Sequence, residues 1–209
     1  MQRKQIHAVT AAGVLVAWSF AGPRLPRAAQ PFANAALGTT LAVWTRAPLG
    51  LAPPAVWSGL RTGAVAAATV GTVVAAGAAL PGVRGAMGQR TTPERPARWL
   101  LLRIPLGTAW AEELAYRGAL SALCADAFGP RAGRLVQSAV FGLSHIADAR
   151  AAGEPVVPTV AVTAAAGWVF AALAARAGSI AAPLLAHLVL NEAGAVAALL
   201  VRRRPDGED

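Results

Sequence analysis

Three membrane-length apolar stretches of this 209-residue chain carry ionisable or amide side chains where lipid penalises them. Glu112, Glu113 and Arg117 lie in the first, His145 in the next, and His187, Asn191 and Glu192 in the last. A charge at the bilayer centre costs roughly 2.5–3.5 kcal/mol on insertion scales, so such a chain must pair these groups inside a helix bundle or use them. Backbone polar groups in lipid must also be satisfied internally, which favours helices. The expected fold is therefore all-α: a polytopic membrane helix bundle of about seven transmembrane helices around a polar intramembrane cavity.

Composition agrees. Only 14% of residues are charged, against about 25% in a globular average. The apolar residues are mostly Ala, Val, Leu and Gly, as in 64–80 (AVAAATVGTVVAAGAAL), which suits helices packed closely through small residues. The net charge of +9 comes from arginines set singly or in small groups between apolar runs, with no basic helix and no interleaved aromatics. They read as loop charges facing lipid headgroups, and nucleic acid is not an expected partner. Arginine outnumbers lysine 18 to 1, which points to a high-GC bacterium and so to its cytoplasmic membrane. Cys124 is the one cysteine, so an internal disulfide and a cysteine-rich metal site are excluded and a packing role is expected.

Proline, glycine and arginine divide the apolar runs into candidate spans near 6–22, 33–51, 62–83, 98–127, 132–147, 157–175 and 178–201. Residues 1–22 resemble a signal peptide but read as a retained first span, since everything downstream is also membranous. Segment 84–98 reads as the one long polar loop. It divides N-terminal spans with that loop (1–97) from a helix core holding the unusual polar residues (98–201), followed by a polar tail (202–209). The fourth span exceeds one crossing and holds Arg98, Trp99, Arg103 and Pro105 early, so it is expected to start along the interface and bend at Pro105. Arg202, Arg203 and Arg204 favour a cytoplasmic C-terminus while Arg3 and Lys4 argue the other way. Neither orientation nor oligomeric state follows.

Glu113 and Arg117 are four apart and fall on one helical face, where they can pair, while Glu112 points about 100° away. One carboxylate is thus neutralised and the other left for another task; a single packing network of all three is the structural alternative. His145, late in the fifth span, and Glu112, early in the fourth, meet on one side of the membrane if these spans are antiparallel neighbours, and they could share a water. Phe141, one turn earlier, reads as packing. His187 and Asn191 are again four apart, so an imidazole and an amide project together and can donate to a developing oxyanion. Interhelical hydrogen bonding is the alternative, worth about 0.6 kcal/mol per bond. Glu192 either caps a loop charge or shares the polar cavity.

Taken together, Glu112-Glu113-x-x-x-Arg117, Phe141-x-x-x-His145 and His187-x-x-x-Asn191, in that order on separate spans, resemble the CPBP (CAAX protease and bacteriocin-processing, or ABI) family of intramembrane proteases. The approach Ser179-Ile180-x-x-Pro183-x-x-x-His187 is similar to the family's lead-in, and the resemblance covers about residues 98–195. Tyr116 stands where many members have Phe, and Glu192 is outside the pattern. The resemblance implies that Glu112 is the general base, His145 helps hold the attacking water, and His187 with Asn191 stabilises the oxyanion. Glu113 paired with Arg117 would keep Glu112 oriented. A carboxylate placed in a low-dielectric site suits the base role.

Family members are often labelled metalloproteases, and Glu112, His145 and His187 could ligate zinc with an open position. The cofactor is therefore either none or a divalent metal such as zinc, with the metal-free mechanism favoured because Asn191 is a poor zinc ligand. No HExxH is present. Ser144 adjoins His145 and faces away by about 100°, which disfavours a serine mechanism. Asp126 alone lies in a span, which disfavours an aspartyl pair. The expected activity is hydrolysis of a peptide bond in a membrane-associated or peptide substrate. A non-catalytic peptide-binding or immunity protein of the same fold, and a proton-coupled transporter, are the other classes.

Overall fold

The computed structural model describes residues 2–89 and 93–203; residues 204–209, most of the expected polar tail, and 90–92 of the expected loop lie outside the described residues. Every regular element among the described residues is helical. In chain order these are α1 (Arg3–Ala21), a 3-10 turn (Gly22–Arg24), α2 (Gln30–Trp44), α3 (Ala55–Ala79) and α4 (Pro81–Gln89). A continuous helix α5 (96–128) follows, then α6 (Pro130–Leu143), α7 (Ile146–Ala152), α8 (Val156–Ala177) and α9 (Ala181–Arg203).

Four helical segments are long and apolar enough to cross a membrane: Arg3–Arg24, Ala55–Ala79, Val156–Ala177 and Ala181–Arg202. The expected seven is not reproduced, for physical reasons. The run near 33–51 yields an α2 of only 15 residues, about 22 Å at 1.5 Å per residue and short of a roughly 30 Å hydrocarbon core. Arg46, at φ 50°, and Pro48 follow its end. The run near 132–147 yields an α6 of 14 residues. Helix α5 has the length, but every 18-residue window within it includes both Glu112 and Glu113. The expected polar loop is also partly helix, because α4 occupies its first residues as far as Gln89.

Helix α5 is the axis of the bundle. Residues 113–120 are all buried, and Leu120 and Cys124 join Leu15, Tyr116 and Phe141 in the main hydrophobic cluster. Its turns are widened over Trp99–Trp110 and Glu113–Leu120, where backbone bonds of the i to i−5 type occur, as from Ala111 N–H to the Leu106 carbonyl. Pro105 lies inside the first widened stretch. Proline cannot donate an N–H and its ring crowds the carbonyl one turn back, and a wider turn accommodates both. The helix therefore runs on unbroken through Pro105.

The neighbours of α5 approach through small residues. A Cβ on Gly38 of α2 would stand 2.4 Å from the Ala111 carbonyl oxygen, and one on Gly107 would stand 2.7 Å from Pro31 Cα. Gly133 meets the Cys124 backbone equally closely, and Phe141 meets Tyr116, so α6 runs antiparallel to α5. Helix α3 lies on α9 through Gly59 and Gly63 and leaves its outer face to the membrane. The loop after α2 plugs into the turn before α9, where the Ile180 N–H donates to the Leu49 carbonyl at 3.0 Å. Gly50 is obligatory there: its φ is +62° and a Cβ would stand 2.0 Å from the Gly178 carbonyl oxygen.

Candidate active site

The polar residues of α5 and α9 meet at one imidazole. His187 Nδ1 is 2.8 Å from Glu113 Oε1 and its Nε2 is 3.8 Å from Glu112 Oε2. Two carboxylates that diverge from adjacent positions reach the same ring because its nitrogens lie on two different edges. Glu113 also holds Arg117 at 3.2 Å, with both side chains fully sealed, whereas the Glu112 side chain is 27% exposed. That difference separates their surroundings: Glu112 faces a cavity and Glu113 faces protein. The Arg117 guanidinium carbon lies 4.0 Å from the centre of the Phe141 ring and 5.0 Å from that of Phe170. Phe170 stacks on His187 at 5.0 Å. These aromatic faces supply cation–π contact where water is excluded.

His145 is not on a helix, contrary to its expected place in a span. Helix α6 ends at Leu143, and His145 caps α7 from the corner between them, with φ −91° and ψ 2°. The corner fixes the ring's chemistry. Nδ1 is 2.7 Å from the Phe141 carbonyl, which can only accept, so Nδ1 carries the proton and Nε2 of the neutral ring keeps its lone pair. By the same reasoning His187 Nδ1 donates to Glu113. Asn191, one turn after His187, gives one N–H to the His187 carbonyl at 3.1 Å and retains a second. Ser179 Oγ accepts from the Ala181 N–H at 3.1 Å and so caps the start of α9.

Glu112, His145, His187 and Asn191 line one cavity of about 580 Å³, while Glu113 and Arg117 stand behind its wall. Glu192 is not among the lining residues. Phe141 and Cys124 are packed in the core as expected, and Asp126 pairs with Lys4 at 2.7 Å on the exposed end of α5.

Much of the cavity wall comes from α1, α2 and the loop between them, including Trp18, Arg27 and Asn34, with Arg103 from α5. Trp18 Nε1 donates to Asn34 Oδ1 at 2.9 Å, and Asn34 Nδ2 donates to the Gly107 carbonyl at 3.0 Å. These wall residues, and Phe170, were not singled out from the sequence as site residues. Asn34 carried the same kind of signal as those that were, being an amide in the apolar run near 33–51.

Among the described residues no group of three or more His, Cys, Asp or Glu side chains is placed to hold a metal ion. The metalloprotease expectation has no support here.

Fold and site together define a class: an all-helical integral membrane protein with carboxylates, imidazoles and an amide gathered inside the bundle. Residues 94–193 match the family model described as type II CAAX prenyl endopeptidase Rce1-like, in agreement with the CPBP/CAAX resemblance of the three motifs. No curated protein and no solved structure matches the chain.

Proposed function

We propose that the protein is an intramembrane endopeptidase that hydrolyses a peptide bond by a metal-free water attack. The observation that carries this reading is the convergence of Glu112, His145, His187 and Asn191, from three separate parts of the chain, on one cavity. Glu112 takes the proton of a water that His145 Nε2 helps to hold, and the water oxygen adds to the peptide carbonyl carbon. His187 Nε2–H and the second Asn191 N–H receive the resulting oxyanion. Glu112 then returns the proton to the departing amide nitrogen as the C–N bond breaks.

The sealed pair completes the scheme. With Nδ1–H committed to Glu113, His187 can donate from Nε2 only as an imidazolium. The Arg117 guanidinium and the His187 ring then both face the sealed Glu113 carboxylate, which offsets the cost of burying it. Glu113 and Arg117 are accordingly positioning residues.

The test is cleavage of a quenched fluorescent peptide library by purified wild type and Glu112→Ala, each with and without a chelator. Activity that disappears in Glu112→Ala and is indifferent to chelation is the expected result. Loss on chelation with recovery by zinc would overturn the metal-free step, and no cleavage by folded wild type would overturn the hydrolase.

A further inference from the structure

A second cavity lies between α3 and α9 and shares no lining residue with the polar one. The two helices run in the same direction, Gly59 meeting Ser179 and Ala181, Gly63 meeting Ala182, and Gly71 meeting Val189. Their contact loosens along that line. A Cβ would stand 2.6 Å from Ser179 Oγ at Gly59, 3.0 Å from Ala182 at Gly63 and 3.4 Å from Val189 at Gly71. At Gly77, about five turns past Gly59 and on the same face, it would meet nothing within 4 Å. The helices thus splay into a wedge of about 540 Å³, walled from Gly71 to Ala78 on one side and from Ala193 to Val201 on the other. At 1.5 Å per residue the wedge is about 10–12 Å long, so it fits within one leaflet of a roughly 30 Å hydrocarbon core.

Helix α4 lies against the open end, where a Cβ on Gly88 would stand 3.6 Å from Val201. Its Arg84 is the one lining residue that is neither glycine nor aliphatic. The side chain is exposed, and among the described residues it has no ion-pair or hydrogen-bond partner. The flanking spanning segments end at Ala79 and Arg202, which sets Arg84 at headgroup depth.

We propose that this wedge holds an acyl chain of one anionic glycerophospholipid, whose phosphate is bound by Arg84. Left empty, the aliphatic walls would lose their dispersion contacts on one side, and a flexible hydrocarbon chain restores them whatever the taper. The lone cation selects the headgroup. A guanidinium at the membrane surface attracts an anionic lipid and offers a phosphate its fork of N–H donors. The α9 wall begins two residues past Asn191, so the bound chain braces the helix that presents His187 and Asn191. The site stands apart from the hydrolytic reading and does not depend on it.

The experiment is native mass spectrometry of the full chain released from detergent, with dioleoyl phosphatidylglycerol, dioleoyl phosphatidylcholine and glycerol phosphate as probes. One phosphatidylglycerol per chain is expected to be retained about fivefold better than phosphatidylcholine, and glycerol phosphate is expected not to be retained. The preference is expected to fall below about twofold in Arg84→Gln, to return in Arg84→Lys and to persist in an Arg131→Gln control. Ala78→Leu with Ala197→Leu fills the wedge and is expected to lower retention of both lipids by about tenfold or more. Equal retention of the two lipids, a preference that outlives Arg84→Gln, or retention indifferent to the leucine pair overturns the proposal. Glycerol phosphate held as well as lipid overturns it by giving Arg84 to a free phosphate. A dimer that the leucine pair abolishes overturns it too, since the wedge would then seat a second copy of the chain. If the leucine pair does not fold, the Arg84 series decides alone, because it alters only an exposed side chain.

Discussion

The front of the molecule, α1 to α4, and the segment 94–193 solve different problems with the same helical grammar. Segment 94–193 concentrates its polar chemistry on α5, the α6–α7 corner and α9 and buries it, with Glu113 at 0% and His187 at 5% exposure. The front presents lipid-facing surface, as in α3, and meets the core through glycines at 38, 59 and 63. Yet it also walls the cavity with Trp18 and Asn34 and sets Arg27 at its rim. The contrast teaches that a family pattern can mark a buried polar cluster without marking what encloses it.

The sharpest way to break this division is to compare losses of rate. Glu112→Ala is expected to lower the cleavage rate by about 10²–10⁴-fold, the usual worth of a positioned base, with the thermal midpoint in detergent almost unchanged. His7 is the one histidine of the front; it packs edge-on to Trp44 at 5.8 Å and does not line the cavity. His7→Ala should leave the rate within about twofold, as surface changes commonly do. A loss at His7 comparable to that at Glu112 would end the claim that the chemistry is confined to 94–193.

Stability discriminates next. Arg117→Leu takes the guanidinium from the sealed Glu113 carboxylate, leaves it His187 alone, and should cost about 3–5 kcal/mol, read as a drop in the denaturation midpoint. Adding Glu113→Gln removes the under-compensated charge and should recover part of it. Gly50→Val probes the joint between front and core. A valine there must hold a positive φ and place a Cβ 2.0 Å from the Gly178 carbonyl, and a loss of about 2–4 kcal/mol is expected. If Gly50→Val proves neutral, the front is attached less firmly than the Leu49–Ile180 bond implies.

How much of this was legible beforehand follows from sequence distance. The all-helical class and the three motifs could be read because helical spacing is local: Glu113 and Arg117, or His187 and Asn191, share a face by period alone. The pairing of His187 with Glu113 joins residues 74 apart, and periodicity says nothing about such contacts. The corner at His145 was misread as helix because an apolar run does not reveal where the backbone turns. The count of seven spans is not confirmed for a similar reason, since hydropathy does not separate a full crossing from the 15 residues of α2. The wall residues escaped because they were judged singly; Asn34 gains its meaning only when Gly107 stands opposite it.

Asn34 therefore offers the finest test, with the smallest expected effect. Its amide donates to the carbonyl of Gly107, five residues before Glu112 on a helix whose turns are widened there, while its oxygen accepts from Trp18. Asn34→Ala removes both bonds in a part-buried setting, a loss of about 1–2 kcal/mol. If the front merely encloses the site, that loss falls on the denaturation midpoint and kcat stays put. If the front helps to place Glu112, kcat drops by about fivefold to thirtyfold with KM nearly constant, the signature of an interaction realised at the transition state. Asn34→Asp separates the two bonds, since a carboxylate still accepts from Trp18 but cannot donate to Gly107. A kcat in Asn34→Asp as low as in Asn34→Ala would locate the coupling in the Gly107 bond. A kcat restored by Asn34→Asp would place it in the contact with Trp18.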